Sequence, residues 1–359
     1  VFVALRELRY ARGRFALISA VVVLVAALVT FLSALTAGLA RASVSALTDL
    51  PADHLAFGMA AHDDKPDLTS SRVTRDQWEQ WSWVSGVRHA EPLGVVTTRA
   101  SAHGTTVAVT ALGVRAGSML APGGAPTSGH VVLTQRGAMA LGVAGGDGLA
   151  IDGVALTVSR VVDDDQQLAH TPVVWVWLDD WQTFGARDGD GGPVATVVAL
   201  DTDGSAMLPA ADARVGTTTV PIADARSAVS SFTAENLSLT TMQAFLVAIS
   251  ALIVGAFFTV WTIGRQGDVA VLKALGASTR YLLRDALGQA ALVLVGAVAV
   301  GTALAAAAGS ALADVMPVLV SPATTVAPAA LLVVVGLVGA AAAIARITRT
   351  DPHAALAAR

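Results

Sequence analysis

The sequence predicts a membrane protein of α-helical class, with four transmembrane helices and an extracellular α+β domain inserted between the first and the second. Three observations carry this. Residues 15–40, 236–264, 286–313 and 315–345 hold no charged side chain, and about 20 apolar helical residues suffice to cross a ~30 Å hydrocarbon core. The chain is 54% hydrophobic and only 14% charged, where a soluble domain carries about 25% charged residues. Between about 46 and 240 the apolar runs shorten and alternate with Gly, Asp and Thr, as in half-buried strands.

Residues 1–14 carry Arg6, Arg9, Arg12 and Arg14 against the single acid Glu7. They read as a helix lying in the membrane interface with its arginines toward anionic headgroups, so membrane lipid is an expected partner. Residues 15–45 are the first span and its outward continuation. The uncharged run of 26 residues would be ~39 Å long as a helix, more than a bilayer needs, and Pro51 is the expected breaker. The run also exceeds the 7–15 apolar residues usual in a cleaved signal peptide. It is therefore read as a retained span.

Residues 46–240 form the inserted domain. Thr74 and Gln77 make a capping-box pattern that opens a helix with Trp78 and Trp81 on one face. Strands are predicted at 93–100, 105–114, 173–178 and 194–200, and a strand followed by a short helix at 129–143. A further pair over 149–152 and 154–162 follows a turn at Asp147 and Gly148. The second span is placed at 241–264 and the third at 286–313. Pro317, Pro322 and Pro328 interrupt the last apolar stretch, so 314–327 is read as an outer hairpin and 328–347 as the fourth span. Gly296, Gly301, Gly309, Gly336 and Gly339 in the last two spans allow helix backbones to approach closely.

The loop 265–285 leaves the second span at Arg265. Val269, Leu272 and Leu275 form an apolar stripe, Asp268 and Lys273 lie off it, Gly276 stops the helix, and Ser278 can cap the next one. The tail 348–359 contains Arg349, Asp351, Pro352, Ala355 and Leu356. Together these two segments resemble the coupling loop and C-terminus of FtsX/MacB-like ABC transporter permeases. The order of residues from Leu133 to Val162 is similar to the extracytoplasmic domain of the MacB-like members. The resemblance implies a homodimer bound to two copies of a cytoplasmic ABC ATPase. The force from ATP hydrolysis would enter through Arg265, Asp268, Leu272, Lys273, Leu275, Gly276, Arg349, Asp351 and Pro352. It also implies a permease that is not itself an enzyme.

Sidedness follows from the bases. The two termini and the short loop hold 11 of the 23 Lys and Arg residues, whereas residues 41–240 have 12 bases against 22 acids. The positive-inside rule puts the termini and the loop in the cytoplasm of a bacterial cell membrane and the large domain outside.

The sequence holds little readable chemistry. Gly124 to Gly129 has the glycine spacing of a phosphate loop, but it lacks the lysine and the following hydroxyl residue. There is no nucleophile elbow, no metal-binding HExxH, and no cysteine; the seven histidines are scattered, none of them in a span. Asp163, Asp164 and Asp165 read as a solvated loop before a cation site. No catalytic residue, intrinsic cofactor, metal or nucleic-acid partner is expected, and ATP would be bound by the partner subunit.

Glu235, just before the second span, stands apart. A carboxylate near the hydrocarbon boundary is unfavourable unless paired or used. Arg41 is its nearest expected partner by depth, and the readings open are a ligand or gate beside the outer membrane surface and a plain helix-terminal anchor. The N-terminal run 5–15 and the segment 50–57 resemble the haem-exporting, HrtB-like branch and its DevC-like relatives. That likeness implies haem as the exported molecule. Glu235 or Met242 would then offer a ligand atom, Asn236 and Arg41 polar contacts, and Phe31 and Phe245 packing surface. The other expectation is an FtsX-like mechanotransmitter, which would regulate an extracellular protein without transport.

Overall fold

The computed structural model describes residues 12–58, 65–186, 194–264, 278–313 and 315–348. They form two compact units. One comprises the domain Ala40–Asn236; the other comprises the helices that precede and follow it in the sequence.

In the helical unit, α1 runs Arg12–Thr48 and continues into the domain from Ala40. The other long helices are α6 (Ser230–Gly264), α7 (Thr279–Leu312) and α8 (Pro322–Thr348). All four are long and apolar enough to cross a membrane. At 37 and 35 residues, α1 and α6 are about 55 and 52 Å long, well beyond the ~30 Å core. The core of this unit joins Val22, Ala26 and Val29 of α1 to Val254, Leu294, Val298 and Leu332. Small residues set the spacing. A Cβ on Gly301 would stand 2.8 Å from Ala26 Cβ and 3.0 Å from Ala27 N, and would strike Val23 O. Gly255 and Gly339 face each other across α6 and α8. One polar side chain of α6 reaches α1: Gln243 Nε2 donates to Ser33 Oγ at 3.2 Å and to Thr36 Oγ1 at 3.4 Å.

The boundaries differ from the sequence reading where caps decide them. α8 starts at Pro322, six residues before the expected Pro328, and only 315–321 of the expected hairpin is non-helical among the described residues. The reason is Ser321. Its Oγ accepts from Thr324 N at 3.3 Å, and Thr324 Oγ1 in turn accepts from Ser321 N at 2.9 Å. Pro322 then takes the first helical position, where its missing N–H is harmless. α6 starts at Ser230 rather than 241, since no Gly or Pro interrupts it before Gly255. Ser278 caps α7, its Oγ accepting from Tyr281 N. The expected interfacial helix before Arg12 lies outside the described residues. So do Arg265, Asp268, Leu272, Lys273, Leu275 and Gly276 of the loop, and Arg349, Asp351 and Pro352 of the tail.

The domain has ten described strands. They are β1 (His54–Gly58), β2 (Val87–Ala102), β3 (Thr105–Val114), β4 (His130–Thr134), β5 (Gly148–Ile151), β6 (Val154–Val162), β7 (Gln167–Leu168), β8 (Thr171–Trp177), β9 (Val197–Thr202) and β10 (Thr217–Pro221). Its short helices are α2 (Arg75–Ser82), α3 (Gln135–Leu141), α4 (Leu178–Gly185) and α5 (Leu208–Val215). The pairing path β2-β3-β8-β4-β6-β5 returns to β2 through Ala100–Ile151 and Ser101–Ala150, closing a six-stranded ring. The first half of β2 pairs instead with β9, at the end of an antiparallel sheet β10-β1-β9-β2.

Alternation sorts the cores. On one face of the ring, Val109, Ala111, Val131, Leu133, Val174 and Val176 pack with Leu141 of α3 and with Trp181 and Phe184 of α4. On the other, Leu112, Val132 and Trp175 pack with Val44, Leu47 and Leu50 at the end of α1. The small sheet gives Leu55 and Phe57 to this second core, and Ala56, Val198 and Leu200 to a third under α2 and α5. The expected capping box is present: Gln77 N donates to Thr74 Oγ1 and Gln77 Oε1 accepts from Thr74 N, with Trp81 buried.

Candidate functional site

The Glu235 neighbourhood is built from a two-residue hairpin. β7 and β8 pair through Leu168 and Thr171, leaving Ala169 and His170 as the turn. Their φ values are 49° and 62°. Two consecutive positive φ angles are the mark of the type I′ hairpin turn, which strongly favours Asn-Gly. An Ala-His pair is an uncommon occupant, since the left-handed region disfavours a residue with a Cβ by about 1–2 kcal/mol. The hairpin is fixed to the end of α1 by backbone and hydroxyl bonds. Ala169 N donates to Ser43 O at 2.9 Å, and His170 N to Ala42 O at 3.2 Å. Gln167 N donates to Ser45 Oγ at 2.9 Å, and that hydroxyl donates to Gln167 O at 3.2 Å.

This backbone aims the imidazole at α6. His170 Nε2 lies 2.8 Å from Glu235 Oε2 and 2.9 Å from Ser43 Oγ. An ionised carboxylate only accepts, so Nε2 carries the hydrogen and donates to Glu235, with Ser43 Oγ within reach of the same nitrogen. Serine, histidine and glutamate here meet at one ring nitrogen. A nucleophile–base–acid relay uses both, so this is not a triad. The second carboxylate oxygen, Oε1, has no hydrogen-bond partner among the described residues. The side chains of His170 and Glu235 are 34% and 43% exposed, whereas Ser43 is buried. The site thus presents one anchored carboxylate with one oxygen open.

The expected pairing of Glu235 with Arg41 is corrected. Arg41 Nη2 bonds Asp49 Oδ2 at 2.9 Å, eight residues further along the chain, in an exposed ion pair. Equal depth along two helices did not determine the partner; a strained turn brought a histidine in instead. Asn236 is partly buried and ends the domain unit. Phe31, Met242 and Phe245 belong to the helical unit, where Phe31 is partly buried and Met242 and Phe245 are exposed. His170, the residue that contacts Glu235, was not among the sequence candidates. Its only signal was a short polar break between apolar segments, with Gln166, Gln167 and Thr171 nearby. Asp163, Asp164 and Asp165 do not gather ligands: Asp165 lies 3.8 Å from Arg136, and no cluster of three metal-ligating side chains occurs among the described residues.

Elsewhere in the domain, Asp53 accepts from Thr202 N at 2.8 Å and from Thr202 Oγ1 at 3.2 Å. The backbone bond holds its carboxyl below the usual 3.8, against a smaller opposing effect of burial and with help from the Thr202 hydroxyl, His54 and Arg88. It fixes the chain between α1 and β1 to the end of β9.

Residues 241–352 match the family described as FtsX-like permease C-terminal. Over 98% of both chains, the protein is 22% identical to one from Staphylococcus haemolyticus provisionally named hemin transport system permease protein HrtB. Over the same share it is 26% identical to an uncharacterised ABC transporter permease of Mycobacterium tuberculosis. Half of the chain aligns with 93% of the periplasmic region of MacB from Actinobacillus actinomycetemcomitans, at 10% identity and a TM-score of 0.36. The chain thus carries an FtsX-like permease C-terminal match over its last third, is similar over its full length to permeases of low identity, and has four helices long and apolar enough to cross a membrane.

Proposed function

We propose that the protein is the permease subunit of an ATP-driven efflux pump that exports haem or a similar amphiphile. Two permease copies pair in the bacterial cell membrane with two cytoplasmic ATPases, which supply the hydrolysis. The termini and the loop after α6 face the ATPases, and the α+β domain faces outward. The supporting observation is Glu235, a partly exposed carboxylate near the start of a membrane helix with one oxygen anchored and the other open. Ferric haem is a planar amphiphile whose iron accepts an oxygen ligand, and the full-length likeness to HrtB-named permeases agrees with that cargo. Asn236, Arg41, Met242, Phe31 and Phe245, the other residues nominated from the sequence, are to be tested singly. Haemin titration of the purified complex is the experiment. Wild-type protein is expected to shift the Soret band, and Glu235→Ala to abolish the shift. An unshifted wild-type spectrum removes haem as cargo.

A second reading has its own support. Trp83 and Met207 on the domain are 88% and 75% exposed, and Met119 is equally open. Exposed aromatic and methionine side chains suit a protein partner. An FtsX-like transmitter would use them to hold an extracellular protein, and such a protein would co-purify with the wild type and be lost on Trp83→Ser.

A further inference from the structure

We propose that His170 is the positioning residue for the Glu235 carboxylate. Its Nε2–H fixes one oxygen so that the other meets the ligand in a set direction; this rests on the reading of Glu235 as a ligand given above. Three independent features of the structure converge on it.

The first is strain. Ala169 and His170 occupy consecutive left-handed positions that glycine or asparagine would fill more easily. Such outliers persist where the surroundings hold them, and they concentrate at functional sites. The second is anchoring. Two backbone amides of the turn and the hydroxyl of Ser45 tie it to α1, so the ring is presented from a fixed base. The third is the chemistry of the contact. A carboxylate that ligates a metal centre is itself hydrogen-bonded in most sites, which sets its direction and basicity. His170 supplies that bond to Oε2 at 2.8 Å and leaves Oε1 open. A glutamate on a helix otherwise samples several rotamers, and binding must then immobilise it.

The test is haemin titration of the full complex, read as affinity and as the Soret maximum. His170→Gly deletes the donor and relieves the positive φ, so it separates the two roles of the residue. It is expected to keep the thermal stability of the wild type while weakening haemin binding by roughly 10- to 100-fold, the usual loss on removing such a partner, with a displaced Soret maximum. His170→Gln places an amide N–H near the Nε2 position and is expected to recover most of the affinity. His170→Gly that binds haemin with wild-type affinity and Soret maximum overturns this inference and leaves haem as cargo. Wild-type protein without a haemin-dependent spectrum, or Glu235→Gln with wild-type binding, overturns both. Loss of stability in His170→Gly in step with loss of binding, without rescue by His170→Gln, assigns the residue to structure alone and also overturns the inference.

Discussion

Trp181 offers a quantitative check on the domain. Its ring lies against two glycines that face each other across β2 and β3, Gly94 and Gly113, and against Gly185 of its own helix. A Cβ on Gly94 would strike Cδ2 and stand 2.5 Å from Cε2 and 2.7 Å from Cε3; one on Gly113 would stand 2.6 Å from both Cβ and Cγ. Ordinary contact begins near 3.4 Å, so the indole must retreat by about 0.8–1.0 Å in either variant. Trp181 is fully buried, and such overpacking destabilises by about 1–3 kcal/mol. About 2 kcal/mol corresponds to a roughly 30-fold loss of hydrogen-exchange protection in β2 and β3 when opening is local to the domain. The two positions differ in what relieves them. Trp181→Ala removes Cδ2, Cε2 and Cε3, all three atoms that a Gly94 Cβ would meet, but keeps Cβ, one of the two nearest a Gly113 Cβ. On that background Gly94→Ala should cost little further protection, whereas Gly113→Ala should still cost some. Exchange measured by mass spectrometry on the full-length protein reads both. Equal relief at the two positions, or unchanged protection in Gly94→Ala, would refute the packing argument.

Three further outcomes follow from the geometry. Gly301→Ala should push α7 from α1, because its Cβ meets Val23 O and Ala27 N, atoms of the helix backbone that cannot rotate away; a fall in detergent melting temperature checks it, and an unchanged melt rejects the contact. Asp53 has a folded pKa below its ordinary 3.8, so its stabilisation is complete above that value and is lost as pH falls through the lowered folded value. Asp53→Asn should thus flatten the loss of stability in acid below about pH 4; a wild-type acid profile would contradict this. Arg41→Ala breaks only an exposed pair with Asp49 and should shift stability by less than about 1 kcal/mol; a larger drop in chemical denaturation would show that Arg41 has another partner.

What the sequence disclosed depended on the range of the interaction responsible. Uncharged runs revealed the four helices, because membrane insertion depends on composition alone. The capping box at Thr74 and Gln77 and the strand pairs around His103-Gly104 and Asp152-Gly153 were legible because their partners lie within a few residues. β1 and β10 were not, since they are five-residue strands whose partners lie over 140 residues away or across the chain. The start of α8 was missed because three prolines outweighed the Ser321 cap. Glu235 was identifiable as a misplaced charge, but its partner was not. His170 and Glu235 are 65 positions apart in the chain and meet only once the domain is assembled, and Arg41 found a nearer acid.

The 16-residue strand β2 belongs to two sheets at once, lending its first half to β9 and its second to β3 and β5. Neither sheet can therefore be excised or melted alone: removing the small one bares half an edge on the ring, and removing the ring does the same to the small sheet. Unpaired edges invite association with other chains. Fragments cut anywhere between Val87 and Ala102 should aggregate, so the two sheets fold and unfold as one.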